Sequence, residues 1–191
     1  MPETAVVVFD WYATLAAPNP TDFWTRLPEL VVGAGGSFKP GTLRRWEMGH
    51  PLEHVEFSVS ESAYRRFQRQ RLEDLLGVCG VPESERAELL EWIENERYTR
   101  TFSVFNGVLE VLQDLRERSY RIGICSNWDW DLDRHLRFNG VDRLVDFVVC
   151  SASAGYRKPH PAIFDLVLRE AGVPAERALF VGDSWGDDVT G

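Results

Sequence analysis

Apolar residues gather in four short runs: Ala5-Val6-Val7-Val8-Phe9, Tyr120-Arg121-Ile122-Gly123-Ile124-Cys125, Phe147-Val148-Val149-Cys150 and Ala178-Leu179-Phe180-Val181. The first shows no polar alternation, the pattern of a strand buried on both faces inside a parallel sheet. Polar residues close each run. Asp10 follows the first and Ser126-Asn127 the second; Lys158 comes some way after the third, and Gly182-Asp183 follow the fourth, with Asp187 and Asp188 beyond. Parallel strands would bring these tips to one edge, where open α/β sheets hold their ligands. An Asp at a strand end can also do no more than bond the backbone of the next turn.

Between the runs the apolar period becomes helical. Asn106-Gly107 opens an amphipathic stretch with Val108, Leu109, Val111, Leu112 and Leu115; further helices are predicted from about Trp130 to Phe138 and from Pro161 to Ala171. Strands alternating with helices of this length predict successive βαβ units with right-handed crossovers. Residues 16–103 read differently. Residues 16–20 form a turn or linker, because Pro18 and Pro20 deny helix and ladder hydrogen bonds. A helix starts at Thr21-Asp22, with Thr21 as its cap. Gly33, Gly35, Gly36 and Pro40 mark a loop before a short helix over Thr42 to Gly49. Ser60-Glu61-Ser62 opens a longer helix, with Ala63, Tyr64, Phe67, Leu72, Leu75 and Leu76 at helical spacing, that stops at Gly77 to Gly80; another runs from Pro82 to about Arg97.

Composition narrows the class. A chain of 191 residues, 44% hydrophobic, is long enough for one α/β core and a smaller lid. Its net charge of −9 argues against nucleic acid or an anionic membrane as partner, either of which calls for a basic footprint. With no long uncharged apolar stretch and no signal segment at its start, the chain is expected to be soluble and cytoplasmic. Cys79, Cys125 and Cys150 are odd in number and widely spaced, as in a reduced protein without a metal-ligand motif.

Four motifs in order give a family resemblance. Asp10 to Leu15, Ser126-Asn127, Lys158-Pro159 within Tyr156-Arg157-Lys158-Pro159-His160-Pro161, and Val181-Gly182-Asp183-Ser184 through Asp188 together resemble the haloacid dehalogenase-like (HAD) hydrolase superfamily. The resemblance implies a Rossmann-like parallel-sheet α/β core over residues 1–15 and 104–191 and an inserted helical cap over 16–103. It implies Asp10 as nucleophile, a carboxylate that forms a covalent ester later hydrolysed by water. Thr14 belongs to the same motif. Ser126 and Asn127 would hydrogen-bond the transferred group and Lys158 would offset its negative charge; Ser126-Asn127 could instead cap a helix beginning near Asp129. Trp11 and Arg45 join the expected substrate contacts.

Asp183, Asp187 and Asp188 lie within six residues, a repulsion that a hard divalent ion such as Mg²⁺ would relieve. Asp187 and Asp188 could instead be favoured in the first turn of a helix. The metal set that the resemblance implies is Asp10, the backbone carbonyl of Tyr12, Asp183 and Asp188. Tyr12 departs from the phosphatase pattern, which resembles this one with Asp at that position; Tyr there resembles the haloacid dehalogenases, whereas Gly182-Asp183 resembles the phosphatases. The leading expectation is a Mg²⁺-dependent phosphatase of a small organic phosphate. A metal-independent 2-haloacid dehalogenase is the alternative, its halide held by Arg44, Arg45 and Trp46 or by Trp24 and Arg26, residues that could equally be surface arginines and buried aromatics. A catalytically weak binding or regulatory protein is the third. The chain stops three residues past Asp188, short of the helix and strand the resemblance calls for, so the C-terminal part of the core is expected to be truncated.

Overall fold

The computed structural model describes residues 4–19 and 23–190. In chain order its elements are β1 (Val6–Phe9), β2 (Ala16–Asn19), α1 (Leu27–Gly33), α2 (Thr42–Met48), α3 (Glu61–Val78), α4 (Glu83–Thr99) and β3 (Thr101–Val104). There follow α5 (Val108–Glu117), β4 (Arg121–Ser126), α6 (Leu132–Phe138), β5 (Phe147–Cys150), α7 (Ser151–Ala154), α8 (Pro161–Ala171), β6 (Ala178–Val181) and a π-helical turn, Trp185–Val189. The chain divides into two compact units. One comprises residues 1–17, 52–61 and 102–191; the other comprises 18–51 and 62–101.

The first unit is built on a parallel sheet in the order β5-β4-β1-β6, with Val8 opposite both Gly123 and Phe180. Central β1 is buried along its whole length, as its unbroken apolar run requires. Side chains alternate across the sheet. Val6, Val8 and Cys125 pack with Phe147, Val149 and the α8 residues Ile163, Val167 and Ala171; Val7, Phe9, Ile122 and Ile124 point the other way and are also buried. Gly123 makes room for an aromatic ring, since a Cβ there would stand 2.3 Å from Cζ of Phe147. At about 25 cal/mol per Å² of apolar surface, these side chains supply the main force holding sheet and helices together.

The second unit is helical. Leu27 and Val31 of α1, Leu72, Leu75 and Leu76 of α3, and Leu89, Leu90 and Ile93 of α4 form its core. Arg71 locks α2 to α3: its guanidinium donates to Trp46 O at 2.7 Å, while the Trp46 indole donates to Arg71 O at 2.9 Å. No described helix is long and apolar enough to cross a membrane.

Three differences from the sequence reading have physical causes. The expected linker at 16–20 holds β2, which pairs with β3 in a two-stranded sheet; each strand there has an open edge, so Pro18 need not cost a ladder bond. Residues 52–61, assigned with the rest of 16–103 to the inserted helices, belong to the sheet-containing unit, whose boundaries fall at Ala17/Pro18 and Phe102. The helix expected from Trp130 begins at Leu132, after Asp131 as N-cap. The expected cap at Thr21 lies outside the described residues.

Candidate active site

The carboxyl ends of β1, β4 and β6 and the segment leading into α8 bring four side chains together. β1 delivers Asp10, whose N–H still donates to Val181 O on β6 at 2.9 Å. The chain then turns sharply, with Leu15 and Ala16 both donating to Trp11 O at 3.0 Å and Ala13 at φ 60°. Lys158 lies across the strand tips. Its Nζ donates to Asp10 Oδ1 at 2.8 Å and to Asp188 Oδ1 at 2.5 Å, and all three residues are buried. Asp188 Oδ2 accepts from the Ser184 N–H at 2.9 Å. Gly182 allows this approach: a Cβ there would fall 2.1 Å from the Asp188 carboxyl.

Charge explains the arrangement. Burial pushes the Asp10 carboxyl above its ordinary value, opposed by the Lys158 ammonium and by hydrogen bonds from Lys158 and Ser126. Burial works against the charged Lys158 ammonium as well, but Asp10 and Asp188 outweigh it and its pKa rises. A buried ammonium between two carboxylates therefore stays charged. Cys125, one residue before Ser126, is pushed up by burial to about 12 and serves as an apolar spacer.

Asp10, Asp183 and Asp188 each offer a carboxylate oxygen within 4.8 Å of the others. This donor set suits a hard divalent cation. Three carboxylates face one ammonium, the ligands are all oxygen, and Asp183 is exposed toward solvent, as an ion that keeps part of its water shell requires. Thr14 reaches Asp183 with a long hydrogen bond, 3.5 Å from Oγ1 to Oδ1. Ser184 caps the π-helical turn by accepting from the Asp187 N–H at 3.3 Å, which places Asp187 in that turn, outside the carboxylate group.

The remaining expected residues are placed less uniformly. Asn127 pairs with the backbone of Lys158 on both sides, Nδ2 donating to Lys158 O at 2.9 Å and Oδ1 accepting from Lys158 N at 2.7 Å. It thus holds the lysine's main chain and does not cap α6. Trp11 is fully buried and offers no surface to a substrate, which corrects its expected role. Tyr12 is 40% exposed, edge-on to Phe102 at 6.2 Å and 6.3 Å from Trp128. Arg45 is exposed on α2 of the helical unit and bonds Pro40 O and Thr42 Oγ1.

Sequence reasoning missed two supports. Trp128 and His135 stand edge-on at 5.5 Å, and both donate to Asp131, the indole at 3.2 Å and the imidazole at 3.1 Å. Despite burial, which works the other way, His135 and Arg134 hold the Asp131 carboxyl down to about 2. The second support is Ser151, whose hydroxyl accepts from Trp128 N at 3.0 Å and donates to Trp128 O at 3.2 Å. No sequence pattern announces a pairing across 23 positions.

The family model of the haloacid dehalogenase-like hydrolases matches residues 48–191. A haloacid dehalogenase-like hydrolase domain-containing protein 3 from Xenopus laevis is 32% identical over 113 residues, 58% of this chain and 46% of that protein. A glyceraldehyde 3-phosphate phosphatase from Pyrococcus abyssi is 37% identical over 89 residues, 44% of this chain and 36% of that one. The chain thus spans about half the length, or less, of the curated relatives it matches. Among solved structures, a predicted phosphoglycolate phosphatase from Haemophilus somnus superposes with TM-score 0.64 at 19% identity, over 98% of this chain and 80% of that one, a likeness of fold.

Proposed function

This chain belongs to the haloacid dehalogenase-like hydrolases, and we propose that within that family it is a Mg²⁺-dependent phosphatase of a small organic phosphate. The observation that carries the reading is the buried Lys158 bridging Asp10 and Asp188, with Asp183 completing a three-carboxylate group. The glyceraldehyde 3-phosphate phosphatase among the relatives supports the substrate class. Asp10 is the nucleophile: one carboxylate oxygen attacks phosphorus, the ester oxygen leaves with the bonding pair, and water later cleaves the aspartyl phosphate. Asp10, Asp183 and Asp188 would hold the divalent cation, whose charge would offset that of the phosphoryl oxygens. Lys158 keeps its proton throughout and stabilises the same charge. Ser126, bonded to Asp10, orients the attacking oxygen. Asn127 acts through Lys158, whose backbone it holds.

Tyr12, with Phe102 and Trp128, gives metal-independent dehalogenation a specific footing, because aromatic edges can cradle a halide. One comparison separates the two readings. Calorimetry is expected to show Mg²⁺ binding by the unaltered chain and none by Asp183→Asn, with phosphate release abolished in a folded Asp10→Asn. Halide release from a 2-halo acid in the presence of a chelator, without Mg²⁺ binding, would replace the phosphatase reading.

A further inference from the structure

The segment from Leu52 to Phe57 interrupts the helical insertion and lies on the loop that ends at Lys158. Its attachment is continuous. Arg157 N donates to Leu52 O at 2.9 Å, Glu53 bridges Tyr156 in antiparallel fashion, and His54 N donates to Gly155 O at 2.7 Å. The His54 ring, 2% exposed, has Nε2 3.0 Å from Ser151 O. A carbonyl only accepts, so Nε2 carries the proton and donates. Gly155, at φ +79°, lets the segment close down: a Cβ would meet Val55 Cα at 2.8 Å. Ser151 in turn holds Trp128, and Asn127 holds Lys158, so three stretches distant in sequence are stitched into one frame around the lysine.

We propose that His54 is a positioning residue for phosphoryl transfer: by fixing the loop from Ser151 to Arg157 from outside, it sets where the Lys158 ammonium meets Asp10. The His54 ring bonds the Ser151 carbonyl, at the start of the loop that ends at Lys158, so the effect passes through the lysine. The proposal rests on the phosphatase reading. A loop relaxed by a fraction of an ångström would misplace the ammonium that faces the transferred group, while Asp10 keeps its backbone place at the end of β1 and Asp188 keeps the bond from the Ser184 N–H.

Orthovanadate, a mimic of the phosphoryl group in flight, serves as probe, and Mg²⁺ alone as reference. In the full chain His54→Ala is expected to weaken vanadate binding about tenfold and to leave Mg²⁺ affinity within twofold. His54→Gln, whose Nε2 can reach the same carbonyl, restores vanadate binding. Should the alanine variant not fold, His54→Leu removes the donor at similar volume and carries the same expectation. Equal weakening of Mg²⁺ and vanadate, unchanged vanadate binding with a lower melting temperature, or failure of the glutamine to restore it would overturn the proposal. If the unaltered chain bound neither probe, the phosphatase reading would fall and this one with it.

Discussion

Replacing Gly182 by alanine tests the carboxylate group without touching any of its members. A Cβ at that position falls 2.1 Å from both Cγ and Oδ2 of Asp188, against 3.4 Å or more for ordinary contact. The carboxylate must therefore retreat by more than about 1 Å, a displacement that can cost on the order of a hundredfold in rate. It has nowhere convenient to go. Oδ1 is held by Lys158 and Oδ2 by the Ser184 N–H, and the residue is 7% exposed. Loss of one such charge-assisted, buried hydrogen bond costs about 1.5–3 kcal/mol. The expected outcome is a fall of roughly a hundredfold in kcat/KM for p-nitrophenyl phosphate, a matching loss of Mg²⁺ affinity by calorimetry, and a lower urea midpoint. Gly186→Ala, four residues on and with nothing within 4 Å of the added carbon, is the control and should change none of these. Activity and metal affinity of Gly182→Ala within twofold of the unaltered chain, or an equal loss in Gly186→Ala, would refute the reasoning.

Three further outcomes are expected. Gly123→Ala drives a methyl into the Phe147 ring and should cost about 1–3 kcal/mol of stability, partly recovered by Phe147→Leu; urea unfolding reads both, and a neutral single variant would show that the sheet yields there. Asp131→Asn removes a carboxyl held at about 2, against an ordinary 3.8, so its contribution of about 2 kcal/mol is present above 3.8 and lost as pH falls toward 2. Unfolding at pH 6 and pH 2.5 should show the gap between the two proteins shrinking to about a third; a gap constant with pH would assign the cost to packing alone. With a series of phosphate esters, rates should fall steeply as the leaving alcohol becomes less acidic, and Tyr12→Asp should flatten that dependence; a flat series in the unaltered chain would mean that some group already supplies the proton.

Strands were the most legible part of the chain. β5 and β6 match their apolar runs residue for residue and α8 its expected span, while β1 and β4 differ by a residue or two at their ends; β1, buried along its whole length, leaves an uninterrupted signal, and the run at β6 is unbroken although Leu179 is exposed. β2 and β3 gave no such signal. A two-stranded sheet is held mainly by backbone bonds, and Pro18 reads as a breaker until the open edge is seen. At the site, Asp10, Ser126, Lys158 and Asp188 could be picked out because parallel strands send their carboxyl ends to one edge. The clasp of residues 52–57 could not. It uses main-chain donors and acceptors, which every residue carries, and one imidazole whose partner is a carbonyl 97 positions away. Asn127, which the resemblance set among the contacts to the transferred group, has its amide bonded on both sides to the Lys158 backbone, a pairing that its place in the sequence does not announce.

The discord between Tyr12 and Asp183 eases once both are placed. Asp183 meets Thr14 and lies with the other carboxylates, whereas the ring of Tyr12 stands near Phe102 and Trp128, so the two residues face different surroundings. The resemblance puts a second carboxylate at position 12 in phosphatases to protonate the departing oxygen, and that assistance is worth about 10² to 10⁴ in rate. Three of the other titratable groups near Asp10 are committed elsewhere. Lys158 is clamped between two carboxylates that hold its proton, Asp188 is spent on Lys158 and Ser184, and Cys125 is buried on β4. As a phosphatase, the chain would keep its charge stabilisation and lack the proton transfer that a carboxylate at position 12 supplies. On the proposed reading it would work best on esters whose leaving group departs as a stable anion, such as acyl or anomeric phosphates, and the exposed ring of Tyr12, two residues from Asp10, would be the surface such a group meets.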